Sequence, residues 1–483
     1  MDYDYVIVGN EAAAYVLANR LTEYSANTVL LLEATSTEPP GAIGAGTGVL
    51  DLSGHQFDFD RWRHRGCEGW GDGDVLPYFR RAASSWRGED VYHRTSRSRD
   101  AGSDGARMHD VALLHRALLT AEVISRDAST HGAADLFIRD HGAASASQVY
   151  LHPALQRYNL RRETGARIDR IILEGRRAAG VVYQLGGIEQ VARARCEVIV
   201  SSGSYASPQL LLRSGIGPAG ALAVAGIAPL HDLPGVGQNL SAKIMLGIRR
   251  ALVRPEGFHG APRADHRADV GAPPAQRTSA DDAHLVGLPV QLCSRSDGRD
   301  ADVALAFAIV ARTGGSASPA LECTIALIDP QGRGEVGLTS ARDDDGRQRL
   351  DLLATDEDRA AARAGVRLAR RVLDAAPLRD LIELELSPKF NIDDDAELDA
   401  FVQRAARASM RPVGTCAMGT SPLAVVDAAL RVHGLTGLRV VDASVMPSLP
   451  GGDTEGPTIM IAERAADLVA GRPTLMPVAP ETR

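Results

Sequence analysis

The first thirty-three residues constrain the fold more than any other stretch. Asp4-Tyr5-Val6-Ile7-Val8-Gly9 reads as a short buried strand ending in glycine. Ala12 to Glu23 reads as a helix, with Ala13, Val16, Leu17 and Leu21 on one face. Thr28 to Glu33 is a second apolar strand closed by an acid. Strand, tight turn, helix, strand and a terminal acid form the dinucleotide-binding βαβ unit. The turn of that unit runs G-x-G-x-x-G; here it is Gly9-Asn10-Glu11-Ala12-Ala13-Ala14. Glu11 stands at the second glycine, where a bound pyrophosphate touches the backbone. A carboxylate there fills the space and repels phosphate at a helix N-terminus that would otherwise welcome it.

The remaining chain fits a soluble α/β protein. At 483 residues it can hold two or three domains' worth of core. A net charge of -8 without long charged runs argues against a nucleic-acid surface. No apolar run reaches the ~20 residues of a membrane span. Cys67, Cys196, Cys293, Cys323 and Cys416 are scattered, so neither a disulfide framework nor a metal cluster is expected. The chain enters a strand at once, so no signal peptide is expected and the cytoplasm is the expected compartment. Arginine vastly outnumbers lysine, with only Lys243 and Lys389, a hint of GC-rich bacterial coding.

Leu160–Glu163, Ala166–Leu173, Gly180–Gln184 and Ile188–Ala194 alternate like a small antiparallel sheet. Glu197 to Gly203 is a separate buried strand ending in glycine, followed by a helix over Ser207–Ser214. Glycine-rich 41–48, polar 87–105 and mixed 251–281 read as loops, the last as a lid. Asp74 is the expected cap of a helix, and Asp356 to Leu373 is strongly helical with a solvated acidic start. Gly437–Asp442 reads as a strand and Thr458–Leu468 as a closing helix.

These pieces resemble the glucose-methanol-choline (GMC) oxidoreductases, flavoenzymes that oxidise alcohols with FAD. The resemblance rests on the N-terminal unit and on Ser214-Gly215-Ile216-Gly217-Pro218. It continues through Leu233-Pro234-Gly235-Val236-Gly237-Gln238-Asn239-Leu240, Pro412-Val413-Gly414-Thr415-Cys416 and Val441-Asp442-Ala443-Ser444. It implies a doubly wound α/β domain of the FAD/NAD(P)-binding type, residues 1–245 with 406–483. An α+β substrate domain on an antiparallel sheet, residues 246–405, would complete the fold. Gly9, Glu11, Glu33, Gly203, Asp442 and Ala443 are the positions that would face FAD.

The departures fall on chemistry. The resemblance implies a catalytic histidine before Pro412; the residue is Arg411. It implies His or Asn where Glu455 stands, and Asp-His where Ala242-Lys243 stands. The segment between Glu33 and Gly41 is short, and Glu11 blocks the turn unless it swings to solvent. Arginine cannot take up an alcohol proton near neutrality.

The leading expectation is therefore a GMC fold that has lost FAD. It would perform acid/base chemistry such as cyclisation, elimination or isomerisation on a small organic molecule, in a natural-product setting. Glu455 would be the acid/base and Arg411 an oxyanion binder. The bland reading of the same pair is an ion pair filling a vacated pocket. Glu33 is then an inherited strand-end acid, and Cys416, His433 and His152 are structural. Two other functions stay open: an FAD-dependent alcohol oxidase or dehydrogenase with a displaced base, and an inactive ligand-binding or scaffold homologue.

Overall fold

A computed structural model describes residues 2–34, 56–87, 101–123, 145–253, 258, 283–285, 290–294, 301–310, 319–340, 346–388 and 394–478. The glycine-rich stretch at 41–48 and almost all of the expected lid at 251–281 lie outside these residues. Lys389 also lies outside them.

The N-terminal unit forms as its pattern dictates. Strand β1 (Asp2–Val8), helix α1 (Ala12–Thr22) and strand β2 (Val29–Glu33) follow one another. Val6, Ile7 and Leu30 to Leu32 are all buried, as strands covered on both faces of a central parallel sheet require. The register pairs Val6 with Leu30 and Ile7 with Leu31. β3 (Leu160–Thr164) lies parallel on the far side of β2, Leu31 opposite Arg162.

The small antiparallel sheet is not separate. β4 (Arg167–Glu174), β5 (Arg177–Leu185) and β6 (Ile188–Val200) form a meander. The last strand runs 13 residues without a break. The sequence pattern divides it because its first half alternates while its second half is uniformly apolar. That change of pattern marks a change of surroundings: residues 188–193 pair with β5, and 198–200 are buried between β1 and β7 (Leu438–Val440). Among the described residues this sheet has seven strands, with β3-β2-β1-β6-β5-β4 in line and β7 on β6. Both chain ends thus meet on one strand.

A second sheet is antiparallel throughout. It pairs 244–252 with 320–327, 320–327 with 303–310, and 244–252 with 382–387. Helix Asp356–Leu373 lies behind it, close enough that a Cβ on Gly365 would sit 2.7 Å from Ile325 Cγ2. Thr355 caps that helix by accepting the Asp358 amide. Asp358 is not solvated as expected: it is buried and accepts the amides of Gln331 and Gly332. Helix boundaries also shift. The helix expected from Asp74 begins at Asp72, and the segment expected as loop up to 105 is helical from Ala101.

Two hydrophobic cores result. One is centred on the parallel sheet and takes in Val413, Cys416, Val440 and Ile459. The other joins the antiparallel sheet to its helices and includes Leu113 and Leu118 of helix Ala101–Thr120. The site lies where the C-terminal ends of β1, β6 and β7 meet segments 411–415 and 448–455.

Candidate active site

The turn after β1 is held from both sides. Gly9 donates its amide to Leu32, and Ser201 donates to Val8. A Cβ on Gly9 would fall 1.7 Å from the Ser201 carbonyl oxygen, so no larger residue fits. Helix α2 (Gly203–Arg213) starts directly above this turn. Gly203 has φ +83, and a Cβ there would lie 2.4 Å from Glu11 Oε1. The carboxylate of Glu11 therefore rests against the start of α2, in the space that the G-x-G-x-x-G pattern keeps clear.

Glu11 is exposed on one side, and its carboxylate lies against the start of α2 on the other. It caps no backbone group of its own helix. Loss of hydration, followed by the nearby carboxylate of Asp442, pushes its carboxyl up to about 7. Arg411 opposes that rise and Glu455 adds to it, so both belong to its electrostatic surroundings.

Asp442 does not reach the cleft. It is fully buried and accepts from the Gly203 amide at 3.0 Å, the Ser207 hydroxyl at 2.6 Å and the Ser444 amide at 2.8 Å. Its work is to fix the start of α2. Its neighbour Ala443 is partly accessible. Glu33, at the end of β2, is buried, and its Oε2 accepts from Arg162 Nε at 2.8 Å. Its Oε1 is buried without a hydrogen-bond partner. Burial first, and then the nearby Glu33 carboxylate, pushes the Tyr15 phenol up to about 12.

Segment 411–415 is stitched to α2. Ser204 Oγ donates to the Pro412 carbonyl, and Thr415 Oγ1 donates to the Ser204 carbonyl, each at 2.7 Å. Gly414 has φ +96, and a Cβ on it would meet Asn239 O at 2.5 Å. This clamp delivers Arg411 to the cleft. Arg411 Nη1 donates to both oxygens of Asp453 at 2.9 Å and to Glu455 Oε2 at 3.0 Å. Burial would depress the arginine, but Asp453 and Glu455 outweigh it and the pKa rises, so Arg411 keeps its charge.

The structure thus brings Arg411 and Glu455 together as the sequence pattern suggested, and adds Asp453. That residue also accepts the Thr454 amide at 2.6 Å, at the start of helix α3 (Glu455–Val469). An acid two positions ahead of an apolar helical run is a capping signal that could have singled it out. Lys243 was legible only as a departure. Its ammonium donates to the carbonyl of Gly451 at 2.7 Å and to that of Gly452. Asp58 Oδ2 accepts the Gly451 amide at 2.7 Å. The loop carrying Asp453 is therefore pinned from two sides.

Of the residues expected to be structural, His152 is exposed, while His433 and Cys416 are packed into the fold. His433 Nε2 lies 3.1 Å from the Gly419 carbonyl, its own carbonyl meets His231, and burial raises the Cys416 thiol well above its usual range. Among the described residues no group of His, Cys, Asp and Glu could hold a metal ion, and no helix is long and apolar enough to cross a membrane.

Comparison with known proteins tests the functional expectation. The N-terminal family profile, GMC oxidoreductase, matches residues 48–245, and the C-terminal one matches residues 330–462. The mitochondrial choline dehydrogenase of Homo sapiens is 33% identical over 98% of this chain and 91% of its own length. The oxygen-dependent choline dehydrogenase of Vibrio vulnificus (strain YJ016) is 31% identical over 98% and 95%. A structure of Aspergillus oryzae formate oxidase concerned with modification of its FAD superposes with TM-score 0.77 at 20% identity, covering 97% of this chain and 98% of that one.

These likenesses correct the leading expectation of a flavin-free, non-redox enzyme. Similarity to dehydrogenases runs along the whole chain rather than stopping at the framework, and the family match together with the FAD of the formate oxidase neighbour points to FAD as the cofactor. The expectation sums the departures as independent losses of one function. The geometry shows that Arg411, Glu455 and Glu11 share one electrostatic neighbourhood, so they are not independent. The chain belongs to the GMC oxidoreductase family.

Proposed function

We propose that this protein is an FAD-dependent oxidoreductase acting on the CH–OH group of a small alcohol. The observation that carries the reading is the 31–33% identity with choline dehydrogenases along 98% of the chain. The residues present fit the cofactor. Glu33 ends β2 at the position where the acid of a dinucleotide-binding unit meets the ribose, with one oxygen held by Arg162. Gly9 and Gly203 keep the approach to the turn free of side chains of their own. The N-termini of α1 and α2 offer positive ends to a pyrophosphate. Glu11 is compatible with phosphates nearby when its exposed side chain turns toward solvent and its carboxyl is neutral, a form that the value of about 7 makes accessible.

FAD held in this cleft would supply the two-electron acceptor for the carbinol hydrogen. The proton of the alcohol must go to a protein base. Arg411 cannot accept it, whereas Glu455 is half-buried beside it with carboxylate oxygens available. In this reading the O–H proton passes to Glu455 as the alcohol becomes a carbonyl compound. Arg411 holds Glu455 in place and steadies the negative charge that grows on the substrate oxygen. Lys243 and Asp58 act as positioning residues for the loop that carries Asp453 and Glu455.

At formal charge the trio Arg411, Asp453 and Glu455 sums to -1, which favours neutral or cationic alcohols over carboxylate-bearing ones. Steady-state turnover on a matched set of cationic, neutral and anionic primary alcohols tests this. Preference for the anionic members would overturn the substrate class.

A further inference from the structure

The residue that separates this chain most sharply from a standard dinucleotide turn is Glu11. Its place suggests a role that the fold alone does not require. The N-termini of α1 and α2 converge on the turn, and both favour negative charge. On the cleft side the Glu11 carboxylate lies against Gly203 in that field, while Asp442 holds the Gly203 amide from within the core. A bound pyrophosphate would lie in the same field as the Glu11 carboxylate. Two negative groups cannot share that field at low cost.

We propose that Glu11 is a proton-coupled determinant of FAD affinity: the cofactor enters the turn with Glu11 neutral, and binding takes up about one proton per site when Glu11 starts ionised. The proposal rests on the FAD-dependent reading above. No bond other than O–H is made, and the proton comes from solvent.

The charged groups facing Glu11 from each packed element set the sign. Asp442, following β7, and Glu455, on α3, favour the neutral acid, as does burial. Arg411, from segment 411–415, favours the carboxylate. Tyr15, on α1, has its own pKa raised to about 12, chiefly by burial, and stays neutral across the working range. The two helix N-termini favour the carboxylate. The balance leaves Glu11 neutral more readily than an exposed glutamate. A cofactor carrying two phosphate charges tips it further toward the acid.

The test is binding, not turnover. Protein stripped of flavin is titrated with FAD between about pH 6 and pH 9, following flavin fluorescence for affinity and calorimetry in two buffers of different ionisation heat for proton uptake. Wild type should lose affinity about tenfold per pH unit above the Glu11 pKa and take up about one proton per FAD. Glu11→Gln and Glu11→Gly should both bind with nearly pH-independent affinity and no linked proton, with Glu11→Gly the tighter. Glu455→Gln should keep the wild-type slope. A flat wild-type profile, or a slope that survives in both Glu11 variants, would overturn the proposal while leaving the FAD reading intact. Failure of wild type and both Glu11 variants to bind FAD at any pH would overturn the reading and the proposal together.

Discussion

Arg411 and Glu455 are 44 residues apart in the chain and meet at 3.0 Å across the cleft, with Asp453 on the same guanidinium nitrogen. The pair couples a segment clamped to α2 with the first turn of α3. A carboxylate held this way has a fixed position and a permanently charged neighbour. Glu455→Gln should keep the fold and the bound flavin, because the amide preserves shape. It should lower turnover about 10²–10⁴-fold. Rapid-mixing kinetics with the best alcohol checks this; unchanged turnover would show Glu455 to be a structural partner only.

Asp453→Asn should have a smaller effect on turnover than Glu455→Gln. It removes the bidentate partner of Arg411 but leaves its hydrogen bond to the Thr454 amide available to the new side-chain oxygen. Comparing kcat and KM for the two variants separates positioning from proton transfer.

The ionisation of Glu11 also bears on stability. Its folded-state carboxyl is raised to about 7, above the ordinary glutamate value of 4.5. The folded state therefore holds a proton that the unfolded chain releases. The contribution is fully present below pH 4.5 and is lost as pH rises through about 7. In flavin-free protein, Glu11→Gln should gain melting temperature relative to wild type as pH goes from acid to alkaline. A constant difference across that range would show that Glu11 titrates normally.

The fold was legible because its signals are local and mutually consistent: buried strand, glycine turn, apolar helix face, second strand. The single strand β6 reads as two because burial, not secondary structure, changes along it. The clustering of Arg411 with Glu455 was foreseeable from the resemblance. Asp453 carried only a capping signal ahead of the closing helix, and Lys243 stands in no motif of its own. The functional error had a physical source. A fixed charge at Glu11 excludes phosphate, whereas its cleft makes the neutral form accessible.

Gly9→Ala should be severely destabilising. The added methyl would lie 1.7 Å from the Ser201 carbonyl oxygen, a backbone atom at the end of the neighbouring strand that cannot rotate away. Yield of folded protein and thermal melting check this; wild-type stability would mean that β1 and β6 can separate at the turn.

Glu463 tests the core behind α3. It is fully buried, accepts from Tyr150 at 3.0 Å and from Arg20 at 2.8 Å, and lies 2.7 Å from Arg81. Glu463→Ala leaves two largely buried guanidinium groups short of their partner and should cost about 3 kcal/mol. Chemical denaturation reads the loss directly, and a change below about 0.5 kcal/mol would show the network to be dispensable.

If this protein is an FAD-dependent alcohol oxidoreductase, alcohols must reduce its bound flavin. The most direct measurement is anaerobic. Protein loaded with FAD below pH 7 is mixed with small primary alcohols, choline among them, while the visible absorbance of the bound flavin is followed. The account predicts that an alcohol bleaches the flavin and that the product is the corresponding carbonyl compound. Protein that retains no FAD, or bound flavin that dithionite bleaches and no alcohol does, would contradict it.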